Sequence, residues 1–336
     1  MAVCRPVRLV NARSLGSFYS SRADAGLPMV LGMVCASAGS TYSKAGDAML
    51  IDAEGRYHGM LSGGCLEGDL AIRASAVIET GRPAMVVYDL ASDDELWGLG
   101  VGCDGRIDVI LLRLDATNDY QPFAAMQEVF EGREPARLVL GISDDLLGRA
   151  ELSTVSGKLL LQDAGSDRQR TLASLGGTLE VELTPLPRIL ILGAGPDVVP
   201  VVRIIAELGW RAVVCDHRPA YLENPLLELA DARCCAPADK LENTLALDDF
   251  DAALVMSHHL ASDRAYLRAL ACADIGYVGL LGPAARRDRL LVELGADAER
   301  LVGRLHGPAG LALGGRGAAP IALSLVAGLQ EFLAYG

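Results

Sequence analysis

The sequence predicts a two-domain α/β protein whose C-terminal half is built on an open parallel sheet. Three observations carry that expectation. The chain has 336 residues, too many for one ordinary core and suited to two domains of roughly 100 to 200 residues each. From Arg188 onward, short apolar runs alternate with stretches of helical spacing, as repeated strand–helix units require. The first of those runs, residues 188–192, passes directly into Gly193-Ala194-Gly195 and then into an apolar helical pattern over residues 198–208.

Composition sets outer bounds. Hydrophobic residues make up 51% and charged residues 22% of the chain, as in packed globular proteins. The formal charge of −13 argues against a general nucleic-acid binder, because duplex binding draws its affinity from Lys and Arg contacts to phosphate. An anionic ligand must therefore be held by local groups. The longest apolar stretches, residues 188–192 and 321–329, fall short of the roughly 20 residues that cross a bilayer, so no membrane span is expected. Arg5, Arg8 and Arg13 punctuate the apolar residues of the N-terminus, which therefore lacks the form of a secretory leader. A cytoplasmic location is the expectation. Its eight cysteines should then be reduced, and their spacings include no zinc-type pair or Cys/His cluster.

Taken in order, residues 1–27 carry helix-compatible spacing and residues 29–34 the first strong strand signal. Residues 48–52 and 56–61 read as a hairpin closed by Ala53-Glu54-Gly55. Ser62-Gly63-Gly64-Cys65 then leads into a helix over residues 66–79, which places the glycine pair at a helix N-terminus. Strands follow at 84–88 and 107–112, separated by a segment, 97–105, so rich in glycine that its backbone must come close to something. Signals weaken from 118 to 182: a helix near 123–130 and strands near 137–142 and 158–162. Two prolines in residues 184–187 mark the linker, giving an N-terminal α/β domain over 1–183 and a second domain over 188–336.

The second domain is Rossmann-like, with a parallel sheet. Residues 188–192 form a strand apolar on both faces; Gly193 permits the tight turn, and Gly195 lets backbone N–H groups approach a phosphate at the helix N-terminus. Asp216 ends the next strand, where a carboxylate can accept a ribose hydroxyl. Val198 stands where the third glycine of the dinucleotide fingerprint belongs, and Asp197 puts negative charge beside the phosphate position. Strands at 252–256 and 276–281 complete the pattern, so Ser257, His258 and Gly282 fall at the carboxyl ends of strands, where open α/β sheets bind ligands. Arg286, Arg287 and Arg289 supply local positive charge, and residues 321–333 read as a closing helix. In the first domain, Cys65 sits where a helix dipole favours thiolate. Cys103, beside Asp104 in the glycine-rich segment, is a second candidate, and Glu67 is an N-terminal carboxylate of the same helix as Cys65.

Several segments together resemble the XdhC/CoxI family: residues 39–46 (GSTYSKAG), 63–67 (GGCLE), 100–105 (GVGCDG), 193–195, 214–219 (VCDHRP), 257–258, 277–282 (YVGLLG) and 306–311 (HGPAGL). They lie in the family's order through nearly the whole chain. The resemblance implies an N-terminal XdhC-type domain ahead of the Rossmann-like one. It further implies an accessory protein that binds molybdenum cofactor (molybdopterin or its nucleotide derivative), supports its sulfuration and inserts it into an apo-molybdenum hydroxylase of xanthine dehydrogenase type. A cysteine desulfurase becomes an expected partner, and a homodimer the expected assembly on general grounds. On this reading Cys65, Cys103 and Glu67 make sulfur or molybdenum contacts, with Cys65 and Cys103 as metal ligands, while Gly63, Gly64, Gly193, Gly195, Asp216, Ser257, His258 and Gly282 hold the cofactor. The alternative is an NAD(P)-dependent oxidoreductase working through the C-terminal domain.

Overall fold

The computed structural model describes residues 6–7, 12–89, 105–162, 172 and 176–335, which fall into two compact units, Met1–Leu186 and Pro187–Gly336. The glycine-rich segment that holds Cys103 lies outside the described residues.

The first unit runs β1 (Pro6–Val7), α1 (Ala12–Ala23), β2 (Met29–Ala38), β3 (Ala48–Asp52), β4 (Tyr57–His58), α2 (Glu67–Thr80), β5 (Ala84–Asp89), β6 (Arg106–Leu114), α3 (Phe123–Glu131), β7 (Ala136–Gly141), β8 (Ala150–Thr154), β9 (Gly157–Gln162) and β10 (Thr178–Leu183). An antiparallel sheet has the order β4-β3-β2-β6-β5; a second has the order β1-β10-β7-β8-β9, with β1 alone running parallel to its neighbour. Because β2 is covered on both faces, it is buried continuously over its first seven residues instead of alternating. Met29, Leu31 and Met33 enter a core shared with α1, α3 and the second sheet. Val30 and Val34 enter another with Leu66, Leu70, Ala74 and Val77 around α2. Each such side chain contributes roughly 1.5–3 kcal/mol by leaving water. The helix α2 stops at Gly81, whose φ of 70° lets its N–H reach the Val77 carbonyl.

The second unit runs β11 (Arg188–Leu192), α4 (Val198–Glu207), β12 (Arg211–Asp216), α5 (Pro219–Leu222), β13 (Ala232–Cys235), β14 (Ala252–Val255), α6 (Leu260–Cys272), β15 (Tyr277–Leu280), α7 (Ala284–Leu294), β16 (Leu305–His306) and α8 (Ala318–Tyr335). All six strands are parallel in the order β13-β12-β11-β14-β15-β16. Ile189 and Ile191 of β11 face one core with α4 and α8; Leu190 and Leu192 face the other with α6 and α7. The order reverses direction at β11, between β12 and β14, and that switch point is where such sheets open a crevice at their carboxyl ends.

Five strands carry no signal strong enough to be expected from the sequence: β1, which falls within the stretch read as helical, β8, β10, β13 and β16. The hairpin arm expected over 56–61 is only the two residues of β4, because Ser43 and Glu67 take the following backbone groups instead. The closing helix is also longer than expected. By length and composition α8 is apolar enough to cross a bilayer, with a mean hydropathy of 1.4 over 18 residues, a property the apolar-run count missed; in this fold Ala322, Leu325, Val326 and Leu329 of α8 are core residues.

Candidate functional site

In the first unit, the organising side chain is Glu67. It is fully buried, and its carboxylate accepts the N–H groups of Leu61 (2.8 Å), Ser62 (2.8 Å) and Gly64 (3.0 Å) and the Ser62 hydroxyl (2.5 Å). Burial pushes this carboxyl up, yet the hydrogen bonds from Ser62 and Leu61 outweigh it and leave the group below the usual carboxylate range. Glu67 is thus an ionised anchor for the loop. That loop places Gly63 and Gly64 at φ values of 77° and 107°, open to glycine and strained for other residues, and leaves the Cys65 thiol half-buried at the start of α2.

Two further motif segments meet the same loop. Ser43, in the segment 39–46, donates its hydroxyl to the Met60 carbonyl at 3.4 Å, and Tyr42 lies 4.0 Å from where a Cβ on Gly63 would be. A Cβ on Gly105 would sit 2.5 Å from Thr41 Cγ2 and 2.6 Å from the Ser40 carbonyl oxygen, so the end of the glycine-rich segment is pressed against segment 39–46. The close approach inferred from glycine density is therefore, at Gly105, an approach to protein backbone. Tyr42 and Met60 are solvent-exposed beside the Cys65 loop. Among the described residues no group of three or more His, Cys, Asp or Glu side chains is placed to hold a metal ion.

In the second unit, Gly193 (φ 118°) turns the chain at the end of β11 so tightly that a Cβ there would meet the Met256 carbonyl oxygen at 2.5 Å and Ser257 Cα at 2.9 Å. Gly193 and Ser257 thus abut at the switch point. Asp216 is buried, and both of its oxygens are filled. One accepts the Ala194 N–H at 2.8 Å and Arg218 Nη2 at 2.8 Å; the other accepts the Arg218 N–H and Nε, each at 2.9 Å. Burial raises the Asp216 carboxyl, but the Arg218 guanidinium and these N–H donors hold it below the ordinary range. Arg218 in turn stacks over Tyr221 at 3.8 Å.

Asp197 and His258 form a second pair, 2.7 Å between Oδ2 and Nε2. His258 adopts a left-handed φ of 57°, uncommon for a residue with a Cβ. The other Asp197 oxygen lies 2.7 Å from the Cβ position of Gly195, so this carboxylate occupies the space in front of the glycine loop. A third pair links Arg286 to Asp263, whose other oxygen bonds the Ser257 hydroxyl. Gly282 (φ 132°) makes room for the Arg286 stem, which a Cβ would meet at 2.8 Å. Behind these pairs, the fully buried Tyr266 hydroxyl has no hydrogen-bond partner among the described residues. Burial first, then Cys215, Asp216 and Asp263, push its pKa up.

The sequence placed Gly193, Gly195, Asp216, Ser257, His258 and Gly282 at strand ends, and the fold brings all of them to one rim. What it did not reveal is that Arg218, Arg286 and His258 are each already paired with a carboxylate. Asp263 and Tyr266 were missed because both sit in an ordinary helical pattern. For a dinucleotide held in the usual way the residues do not fit: the carboxylate that would accept a ribose hydroxyl is filled, and Asp197 stands where a diphosphate would approach Gly195.

Fold and rim together define a two-unit protein with a Rossmann-type domain and a separate thiol-bearing domain. Residues 189–329 match the XdhC Rossmann domain, and residues 22–89 match the XdhC and CoxI family. The chain belongs to the XdhC/CoxI family. It is 31% identical over 317 residues to a protein of Bacillus subtilis (strain 168) named as a probable xanthine dehydrogenase component, covering 89% of this chain and 91% of that one. It is 25% identical over 285 residues to the molybdenum cofactor insertion chaperone PaoD of Escherichia coli (strain K12), covering 84% and 76%. A crystal structure of a xanthine dehydrogenase from Bacillus halodurans superposes with a TM-score of 0.78 at 30% identity, covering 95% of each chain.

Proposed function

We propose that this chain is an accessory protein that carries molybdenum cofactor as cargo, supports its sulfuration and inserts it into an apo-hydroxylase of xanthine dehydrogenase type. The observation that carries the reading is the Cys65 loop: a half-buried thiol on a backbone fixed by one ionised, fully buried carboxylate, in a chain alike over most of its length to a named molybdenum cofactor insertion chaperone. A thiolate is a soft donor suited to molybdenum or to sulfur transfer. Gly63 and Gly64 add no side chains of their own beside it, and Glu67 holds the loop backbone in place.

In the same reading Cys103 is a second sulfur or metal contact. The rim formed by Gly193, Gly195, Asp216, Ser257, His258 and Gly282 takes the cofactor's phosphate end once Asp197 swings away from Gly195, with Arg218 and Arg286 as its positive charge. Cytoplasmic placement, a homodimer and a cysteine desulfurase as sulfur donor belong to this proposal. NAD(P) is disfavoured by the filled Asp216, whose oxygens are already taken where a ribose hydroxyl would need an acceptor. The test is transfer: protein loaded with cofactor and mixed with an apo-hydroxylase should restore hydroxylase activity, and the Cys65→Ala variant should not. Hydride transfer from NAD(P)H with no cofactor transfer would replace this reading with an oxidoreductase.

A further inference from the structure

A cavity of about 550 Å³ opens in the second unit, and Tyr277, Arg287, His306, Gly310, Glu331 and Phe332 are among the residues that line it. None of the rim residues described above takes part. Its wall is instead the segment 306–311, a motif the strand-end site leaves without a task.

The wall is held by close contacts. His306 stacks flat on Tyr277, ring centroids 4.2 Å apart and planes 11° from parallel, and Phe332 tilts onto the same tyrosine at 5.4 Å. Leu311 N–H donates to the Ser324 carbonyl at 3.0 Å, and the Ser324 hydroxyl donates back to the Leu311 carbonyl. Gly310 and Gly328 allow backbone-to-backbone contact between this segment and α8, since a Cβ on Gly328 would meet Gly310 Cα at 2.8 Å. Arg287 donates to the Gly307 carbonyl at 2.5 Å and lays its stem over that glycine.

Glu331 also lines the cavity, on the α8 face that carries Gly328, Phe332 and Tyr335 into the lining. Among the described residues this carboxylate makes no hydrogen bond or ion pair, though it is close enough to Tyr277 to help burial raise the phenol's pKa. A free carboxylate beside a flat aromatic wall is complementary to a ring whose edge presents two parallel N–H donors. The 2-amino-4-oxo edge of guanine and of pterin has that form, a ring N–H next to an exocyclic amine. Adenine alternates donor and acceptor and lacks it.

We propose that this cavity binds the 2-amino-4-oxo edge of a fused heterocycle, guanine or pterin, with Glu331 accepting both N–H groups and the ring stacked on His306. The assignment rests on the cavity alone and stands whether or not the chain carries molybdenum cofactor.

The experiment is titration of the full-length protein with free pterin, guanosine and adenosine, followed by pterin fluorescence and calorimetry. Pterin or guanosine should bind, and adenosine should bind at least about tenfold more weakly. Glu331→Gln should weaken the preferred ligand by about 10- to 100-fold, the worth of charged hydrogen bonds, without lowering the melting temperature. His306→Ala should weaken it too, while His306→Phe, which keeps a stacking face, should retain it. Binding of pterin alone identifies a pterin site, of guanosine alone a nucleotide-base site, and of both the shared edge. Equal binding of adenosine, no binding of any of the three by folded wild type, or a Glu331→Gln variant that binds unchanged overturns the assignment. Cofactor uptake without heterocycle binding overturns only this inference; heterocycle binding without cofactor uptake overturns only the carrier reading.

Discussion

The Asp216 carboxylate accepts the Ala194 N–H at 2.8 Å, which makes the acid at the end of β12 part of the glycine loop. Substituting Asp216 by Asn keeps the shape but removes the charge that holds Arg218. We expect Asp216→Asn to destabilise the second unit by about 2–3 kcal/mol, the worth of charge-assisted bonds at a buried site, as read by urea unfolding of the full chain.

Asp197 predicts the opposite sign for ligand affinity. Its carboxylate lies 2.7 Å from the Cβ position of Gly195, where an anionic oxygen would approach. Asp197→Ala should bind inorganic pyrophosphate more tightly than wild type, by about tenfold if one interaction of about 1.4 kcal/mol is relieved. Calorimetry at fixed ionic strength measures it; equal affinity would show that Asp197 does not guard the loop.

Acid should unfold the protein through its anchoring carboxylates. Glu67 and Asp216 are both held below their ordinary values of 4.5 and 3.8. A carboxyl depressed in the folded state contributes stability that is complete above its unfolded value and is lost as pH falls through the folded one. Stability should therefore be flat from neutrality to about pH 5 and fall below it. Glu67→Gln, already less stable at neutral pH, should show a shallower fall by chemical denaturation at a series of pH values.

Thiol reactivity should separate the cysteines. Cys215 is buried, and that burial, with the neighbouring Cys234, pushes its thiol far up; burial pushes Cys35 up to about 12. Alkylation of the folded protein followed by peptide mass spectrometry should label Cys65 and the exposed Cys235 and Cys272 well before Cys35 and Cys215.

Much of this architecture was legible because the strongest patterns are also the most buried. Residues 188–192 read as a doubly covered strand since both faces of β11 are in cores, and glycine at 193 was demanded by the turn that brings Met256 and Ser257 against it. The strands β13 and β16 escaped notice for the converse reason: β13 is largely exposed and β16 is a two-residue edge. The rim residues were found from chain order alone, yet their pairing was not, because Asp263 and Arg286 are 23 residues apart and meet only when α6 and α7 fold over adjacent strands. Glu67 showed its position at a helix start but not its office, since four donors converge on it from a loop whose path no periodicity encodes.

The most direct test is anaerobic binding of molybdenum cofactor to the purified full-length protein beside its Cys65→Ala variant, both checked as folded by circular dichroism. Wild type should retain the cofactor through gel filtration, and Cys65→Ala should lose it. A wild type that fails to hold the cofactor, or a Cys65→Ala protein that holds it equally well, would contradict the account.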